Sequence, residues 1–328
     1  MLSVAICGAG GLGTRHAQNF RDIPEAQVTL VYDVVEEAAA ALAGKVGARV
    51  ASRESDLFGD EVDVVVVTTP TPQHAYFTIK AAQAGKHVLC EKPMCRTLEQ
   101  GEEMLEAVRA AGVTFMVGHV VRWFRQYARA RDLIQAGEIG EVGVARTSRI
   151  NTMPSGRGGW FRDYALSGGV TLDMTIHDFD WLLWTFGPAE RVYSVGAQRL
   201  MPELDYALTT IRFESGAIAH VEGSWADTGA FRTCFDIAGT GGLLRHDSTR
   251  MSTLTLQRRA AEEGRVGVQV PSSPAFRSPY MMEDEHFVQC VLTGEEPAIS
   301  GDEALDAVEL ALAAMQSNEA AGEVVELS

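Results

Sequence analysis

The chain has 328 residues, 46% of them hydrophobic, and its Lys+Arg 28 against Asp+Glu 44 leave a formal net charge of −16. That length exceeds one typical core, so two domains are expected. An acidic balance with no basic run argues against nucleic acid, whose phosphates demand a positive footprint, and against an anionic membrane surface. No apolar stretch approaches the ~18 residues of a spanning helix, and Leu2–Cys7 reads as a strand rather than a signal peptide. Five cysteines, odd in number and without CxxC spacing, read as reduced thiols of a cytoplasmic protein, none a metal ligand or nucleophile.

Residues 1–118 alternate strand and helix patterns. Short Val- and Ile-rich runs at Leu2–Cys7, Val28–Tyr32, Val62–Thr68, His87–Cys90 and Thr114–Val117 are separated by helical segments such as Thr97–Ala111. Strands apolar on both faces, with helices between them, predict a doubly wound parallel α/β sheet.

The first turn, Gly8-Ala9-Gly10-Gly11-Leu12-Gly13, places a GxGxxG between strand Leu2–Cys7 and helix Leu12–Arg21. Gly8 permits the tight turn, Gly10 lets a pyrophosphate approach the backbone, and Gly13 lets helix pack on strand. The helix start, Gly11 and Leu12 included, offers free N–H groups to phosphate. Asp33 ends the second strand about 20 residues on, where an acid accepts from the adenosine ribose hydroxyls and repels a 2′-phosphate. Val34-Val35-Glu36-Glu37 then offers no cation, so NAD is favoured over NADP. Arg15 is the nearby cation that would weaken this preference, unless it is simply a solvated first-turn side chain.

After Val62–Thr68, the loop Thr69, Pro70 to His74 falls on the same sheet edge as Gly10, as a cofactor contact or only a helix start. Glu91-Lys92-Pro93 follows the run His87–Cys90, so Lys92 stands at a strand's carboxyl end, where open α/β sheets bind ligands. There a lysine can be desolvated and tuned; alone, a Lys-Pro is more often a surface turn.

Residues 119–328 form the expected second domain, for substrate and oligomer contacts. A helix at Gln126–Ala136 leads to strand Val142–Ile150 and a polar glycine-rich loop, Thr152–Gly169. Strands at Arg191–Ala197, Leu208–Phe213, Ala217–Trp225, Thr233–Ala238 and Leu243–Arg245 predict a largely antiparallel sheet with one face covered. Helices are expected at Glu283–Leu292 and Asp302–Ala321.

A single helix is predicted over Val170–Phe186, with Leu172, Ile176, Phe179 and Leu183 as its apolar stripe. Asp173, His177 and Asp180 would then share a polar stripe flanked by Trp181 and Trp184. Asp-x-x-x-His alone is commonly a solvated pair, but Gly168-Gly169 before it would admit a ligand closely. No second histidine or cysteine lies at ligand spacing, so no metal is expected.

Taken together, Gly8–Gly13 with His16, the Thr69-Pro70 to His74 loop, Glu91-Lys92-Pro93, and Gly168–His177 with Asp180 resemble the Gfo/Idh/MocA family. That family is named after glucose–fructose oxidoreductase, inositol dehydrogenase and a rhizopine-catabolism protein. The resemblance covers essentially the whole chain and departs at Val170, where many members have a third glycine. It implies a Rossmann domain joined to an α/β domain with an open antiparallel sheet, and a homodimer or homotetramer. It also implies an NAD(P)-dependent oxidoreductase transferring a hydride between nicotinamide and a secondary alcohol or ketone of a sugar or polyol.

The resemblance carries catalysis onto Lys92, Asp173 and His177. His177, with an ordinary pKa of about 6.5, suits the hydroxyl proton; Asp173 would orient it or hold a neighbouring hydroxyl, and Lys92 would bond the reacting oxygen. Glu91 and Lys92 join Gly8, Gly10, Gly11, Leu12, Gly13, Asp33, Thr69, Pro70 and His74 as expected cofactor contacts. Asn151, Arg157, Trp160 and Arg162 are substrate candidates or ordinary loop residues; Trp160 suits a sugar's apolar face. Two rivals stand beside the dehydrogenase. One is a member that retains NAD during glycoside cleavage. The other is a non-catalytic NAD(P)-binding regulator, which would not need Lys92, Asp173 and His177 together.

Overall fold

Val64–Val67 is a run of four valines, all fully buried. A strand with no solvent-facing side chain must be covered on both sides, the condition of a central strand in a parallel sheet. The computed structural model, which describes residues 1–197, 205–227, 231–250, 254–258 and 277–327, places it so. Strands β1 (Leu2–Cys7), β2 (Ala26–Tyr32), β3 (Arg49–Val50), β4 (Val64–Val67), β5 (His87–Glu91) and β6 (Phe115–Gly118) form one sheet in the order β3-β2-β1-β4-β5-β6. Every pairing is parallel. The connecting helices are α1 (Gly11–Asp22), α2 (Glu36–Val46), α3 (His74–Gln83) and α4 (Leu98–Ala111).

The helix boundaries follow capping chemistry. Thr97 Oγ1 accepts the Gln100 amide at the start of α4, and Gly112, at φ 66°, closes it in the left-handed conformation. Gly101, Met104, Leu105 and Val108 are its buried stripe. The expected doubly wound fold is therefore present, with α1 starting one residue earlier than the sequence pattern suggests.

The second sheet uses β7 (Val142–Ile150), β8 (Ala189–Gly196), β9 (Tyr206–Phe213), β10 (Ile218–Ser224), β11 (Arg232–Gly239), β12 (Gly242–Asp247), β13 (Leu254–Arg258) and β14 (Val325–Glu326). Their order is β13-β12-β11-β7-β10-β9-β8-β14. Only β7 and β10 run parallel; the other neighbours are antiparallel. Thr233, Phe235 and Ile237 are buried while Cys234, Asp236 and Ala238 are half-buried, the alternation of a sheet with one covered face. The other elements are α5 (Arg125–Gln135), α6 (Tyr164–Ser167), α7 (Gly169–Asp173), α8 (Ile176–Phe186), α9 (Pro279–Thr293) and α10 (Gly301–Glu319).

Two units are discontinuous in sequence: Met1–Val120 with Arg277–Val308, and Val121–Phe276 with Glu309–Ser328. The simple division into 1–118 and 119–328 thus misses that α9 and the start of α10 cluster with the Rossmann sheet. Gly101 explains part of this, since a Cβ there would lie 2.3 Å from Leu305 Cδ1.

The helix expected over Val170–Phe186 is two helices, which corrects the sequence reading. The Thr175 amide reaches back five residues to Val170 O, and the His177 amide only three, to Met174 O. A wide turn followed by a tight one breaks the 3.6-residue period between Asp173 and His177. Asp180 does not share the expected polar stripe either. It is buried and receives Arg122 Nη2 at 2.6 Å and Nε at 3.0 Å. Asp178 likewise receives Arg149 Nε at 2.6 Å. Trp181 is core, stacked on Phe235, and its Nε1 donates to Tyr127 O.

Arg149 is only 1% exposed and its partner Asp178 is fully buried. Removing one member of such a pair strands the other charge, which costs about 3–5 kcal/mol. Asp178→Ala is therefore expected to lower unfolding stability by that amount in urea titration; a loss comparable to a surface substitution would show that Arg149 finds water instead.

Candidate active site

Cys7 pairs with Tyr32 and with Val67, and Val67 pairs with Cys90. Gly8, Asp33 and Thr68, just past their strands, and Glu91, the last residue of β5, therefore lie along one edge. This edge lies at the carboxyl ends of β1, β2, β4 and β5, where the strand order reverses between β1 and β4.

The glycine turn is built as its spacing suggests. Gly8 has φ 107°, and a Cβ there would sit 2.7 Å from Thr68 O. At Gly13 a Cβ would fall 1.8 Å from Gly8 O, so α1 closes directly onto the turn. Around Gly10 and Gly11 a Cβ would meet nothing within 4 Å, leaving open backbone at the first turn of α1 for a phosphate. Asp33 Oδ2 accepts the Ala9 amide at 2.7 Å and Oδ1 the Val35 amide at 2.9 Å, which fixes the carboxylate beside the turn. Arg15 is exposed, as a solvated side chain would be, and its guanidinium also lies 4.6 Å from the centre of the Tyr280 ring.

Two residues expected to touch cofactor are turned inward. His74 is buried, with Nδ1 2.8 Å from Pro93 O and Nε2 2.8 Å from Thr69 O. It acts as a strut between the β4 and β5 loops, and burial holds its pKa below the ordinary value against the pull of those carbonyls. Glu91 is buried too, its Oε2 accepting the Lys92 amide at 3.0 Å and its Oε1 3.0 Å from His16 Nε2. Thr69 is half-buried, Pro70 is exposed, and half-buried Lys92 precedes a cis peptide to Pro93.

In the second unit, half-buried Asp173 ends α7 and half-buried His177 lies in the first turn of α8. Gly168 and Gly169 have φ 71° and 63°, and a Cβ on Gly168 would strike Leu172 Cβ at 2.5 Å. Their positive φ makes the left-handed reversal from α6 into α7. Under the α7–α8 joint, a Cβ on Gly223 would lie 2.3 Å from Thr175 Cγ2, a close approach of β10 that no local pattern announces. Trp160 stacks on Phe161 with ring centres 4.0 Å apart. Asn151 Oδ1 accepts the Thr152 amide, while Arg157 and Arg162 are exposed.

This Rossmann edge matches the model of an oxidoreductase family with an NAD-binding Rossmann fold over residues 2–119, and a GFO/IDH/MocA C-terminal domain matches 127–263. The chain belongs to the Gfo/Idh/MocA oxidoreductase family. It is similar to myo-inositol 2-dehydrogenase of Thermotoga maritima, at 31% identity over 97% of this chain and 96% of that protein. It is also similar to scyllo-inositol 2-dehydrogenase (NAD(+)) of Bacillus subtilis, at 30% identity over 95% and 93%. Among solved structures, levoglucosan dehydrogenase in complex with NADH shares the fold with a TM-score of 0.90 and 24% identity, covering 100% of this chain and 99% of that one. As a family member the chain is an oxidoreductase with NAD as cofactor, and the open backbone at Gly10 and Gly11 beside Asp33 fits that group.

Asp205 was invisible to local reading. It lies 4% exposed, and its carboxylate accepts the Val170 amide at 2.7 Å at the start of α7. Burial pushes its pKa up to about 6, against the smaller opposing effect of that amide. In the unfolded chain the value is about 3.9, so the folded state binds this proton more tightly. Its contribution to stability is thus greatest below about pH 4 and declines as pH rises to about 6. Asp205→Asn keeps an oxygen for the Val170 amide and removes the charge. It is expected to raise stability at about pH 7 by about 2–3 kcal/mol, with little difference at about pH 4. Denaturation of both proteins across that range checks this, and a pH-independent difference would contradict it.

Proposed function

We propose that this family member is an NAD-dependent dehydrogenase acting on a secondary alcohol of a cyclic polyol or sugar, with Lys92, Asp173 and His177 at the reacting centre. The observation that carries the reading is the position of Lys92. It follows β5 on the same edge as the glycine turn and Asp33, with its amide held by Glu91. The names of the two inositol dehydrogenases that this chain resembles support the substrate class.

Bound NAD would supply the two-electron acceptor. The backbone at Gly8, Gly10, Gly11, Leu12 and Gly13 would hold its phosphates, Asp33 its adenosine ribose, and Thr69 and Pro70 would line its path. Asp33 also favours NAD over NADP, because a 2′-phosphate would meet a carboxylate. His177 accepts the substrate's hydroxyl proton, and Asp173 orients the imidazole or takes a neighbouring hydroxyl. The Lys92 ammonium donates to the same oxygen as negative charge develops on it. Asn151, Arg157, Arg162 and Trp160 in the polar loop select the substrate, the indole against the apolar face of a ring.

The outer face of the second sheet carries Arg146, His220, Glu222, Asp236 and Arg245 around a cavity of about 560 Å³. We read this face as the contact of a homodimer or homotetramer; light scattering on the eluted protein should give twice or four times the 35.5 kDa chain. A monomer at micromolar concentration would exclude that contact. Among the described residues no helix is long and apolar enough to cross a membrane. The five unbridged cysteines fit a reducing compartment such as the cytoplasm.

NADH absorbance with a panel of inositols, aldoses and sugar acids tests the reaction. Turnover is expected with at least one compound, and Lys92→Ala should lower kcat by about 10²–10³, the cost of losing one donor to a developing oxyanion. Reducing sugar released from a glycoside without net NADH would favour the cleavage reaction instead. Unchanged turnover in Lys92→Ala would remove the assigned centre.

A further inference from the structure

Beneath the Lys92 loop, three ionisable side chains from distant parts of the first unit meet out of reach of water. His16, on α1, is fully buried and has an acid at each ring nitrogen. Nδ1 lies 2.7 Å from Asp284 Oδ1, on α9, and Nε2 lies 3.0 Å from Glu91 Oε1. The outer oxygens are also engaged: Asn19 Nδ2 donates to Asp284 Oδ2 at 2.7 Å, and the Lys92 amide donates to Glu91 Oε2 at 3.0 Å. A neutral imidazole carries one N–H and would turn a lone pair toward one of the two acids. An imidazolium donates to both.

We propose that His16, clamped as an imidazolium between Asp284 and Glu91, is a positioning residue for Lys92, fixing the lysine's backbone through the Glu91 carboxylate. The inference rests on the role given to Lys92 above and extends it, since it names what holds that residue and ties it to α9.

The surrounding charges agree with this protonation. Burial alone would favour a neutral ring, but Asp284 first and Glu91 second outweigh it and hold the His16 pKa well above its ordinary value. Burial would raise Glu91, but the bond to His16 and the charges of His16, Lys92 and His74 together hold it below its ordinary value. Asp284 goes the other way, raised by burial despite His16 and Asn19. Glu91 is accordingly the ionised partner, and any further proton in the network belongs on Asp284. The other groups facing the ring are Arg15 on its own helix, Lys92 beyond Glu91, and Tyr280 and Glu283 on α9; the Tyr280 ring meets His16 edge-on at 6.1 Å. Glu283 stands beside Asp284 on α9, within 4.8 Å of the His16–Asp284 contact. Both His16 nitrogens already face carboxylate oxygens, so a metal ion would have to displace one of these contacts.

Imidazole ¹⁵N NMR of the whole wild-type chain tests the protonation directly. Both His16 nitrogens should keep imidazolium shifts well above the ordinary midpoint of about 6.5. A ring already neutral at about pH 7 would overturn the proposal without any variant. In Asp284→Asn the ring should titrate within the accessible range, and the Lys92 amide proton shift should move with the same midpoint. A Lys92 amide indifferent to that titration would show a structural contact with no positioning role.

Activity separates this idea from the wider reading. With the polyol that turns over in the panel, the ratio of Asp284→Asn kcat to wild-type kcat should drop severalfold as pH rises from about 6 to about 9. The KM for NAD should stay unchanged. Parallel pH profiles would sink the positioning role while leaving Lys92 in place. If instead Lys92→Ala keeps full turnover, the assigned centre fails, and the NMR coupling still decides whether His16 holds the loop.

Discussion

The contact of Gly13 with Gly8 is the constraint on which the Rossmann site depends. A Cβ on Gly13 would lie 1.8 Å from Gly8 O, so only glycine lets α1 close onto the end of β1. That closure leaves Gly10 and Gly11 as open backbone at the first turn of α1. It also fixes the rotation of the helix, and three residues beyond Gly13 the His16 side chain points into the interior rather than toward solvent. His16 then meets Glu91, and Glu91 meets the Lys92 amide. The backbone approach that makes room for a pyrophosphate is thereby coupled, through two side chains, to the proposed catalytic lysine.

The second unit is held by a different means. Its helix α8 carries two aspartates that face arginines in the interior, Asp178 with Arg149 and Asp180 with Arg122. Buried pairs of this kind add little net stability over apolar packing, because desolvating both ions is expensive; what they add is intolerance of any other arrangement. With Trp181 stacked on Phe235 beside them, α8 has one way to sit on its sheet. His177, one residue before Asp178, inherits that orientation.

Much of the fold was legible because it rests on local periodicity. The strand Leu2–Cys7 coincides with β1, and the alternation at Thr233–Ala238 is the observed burial of β11. The glycine turn was legible for the same reason, since Gly8 takes a positive φ and Gly13 packs on Gly8 O, five residues away. What escaped depends on partners far along the chain. Nothing near Glu91 says that His16, itself held by Asp284, will draw its carboxylate inward. Nothing in Val170–Phe186 shows that Gly223 lets β10 press on Thr175 where the helix breaks. A polar residue at helical spacing can equally face solvent, substrate or a buried arginine, and the 3.6-residue period does not distinguish them.

The same difference explains why a reaction class could be read more easily than a substrate. The proposed reacting groups stand at element ends whose geometry is fixed by buried partners: Lys92 by Glu91, and the start of α7, which ends at Asp173, by Asp205. Such positions demand particular residue types, so they leave a mark in the sequence. The loop before α6 is made differently. Gly156, Gly158 and Gly159 all take positive φ, Arg157 and Arg162 are exposed, and Trp160 is braced mainly by its neighbour Phe161. Side chains there can be exchanged without stranding a buried charge. A scaffold so divided can keep one redox chemistry while the loop proposed to select the substrate changes.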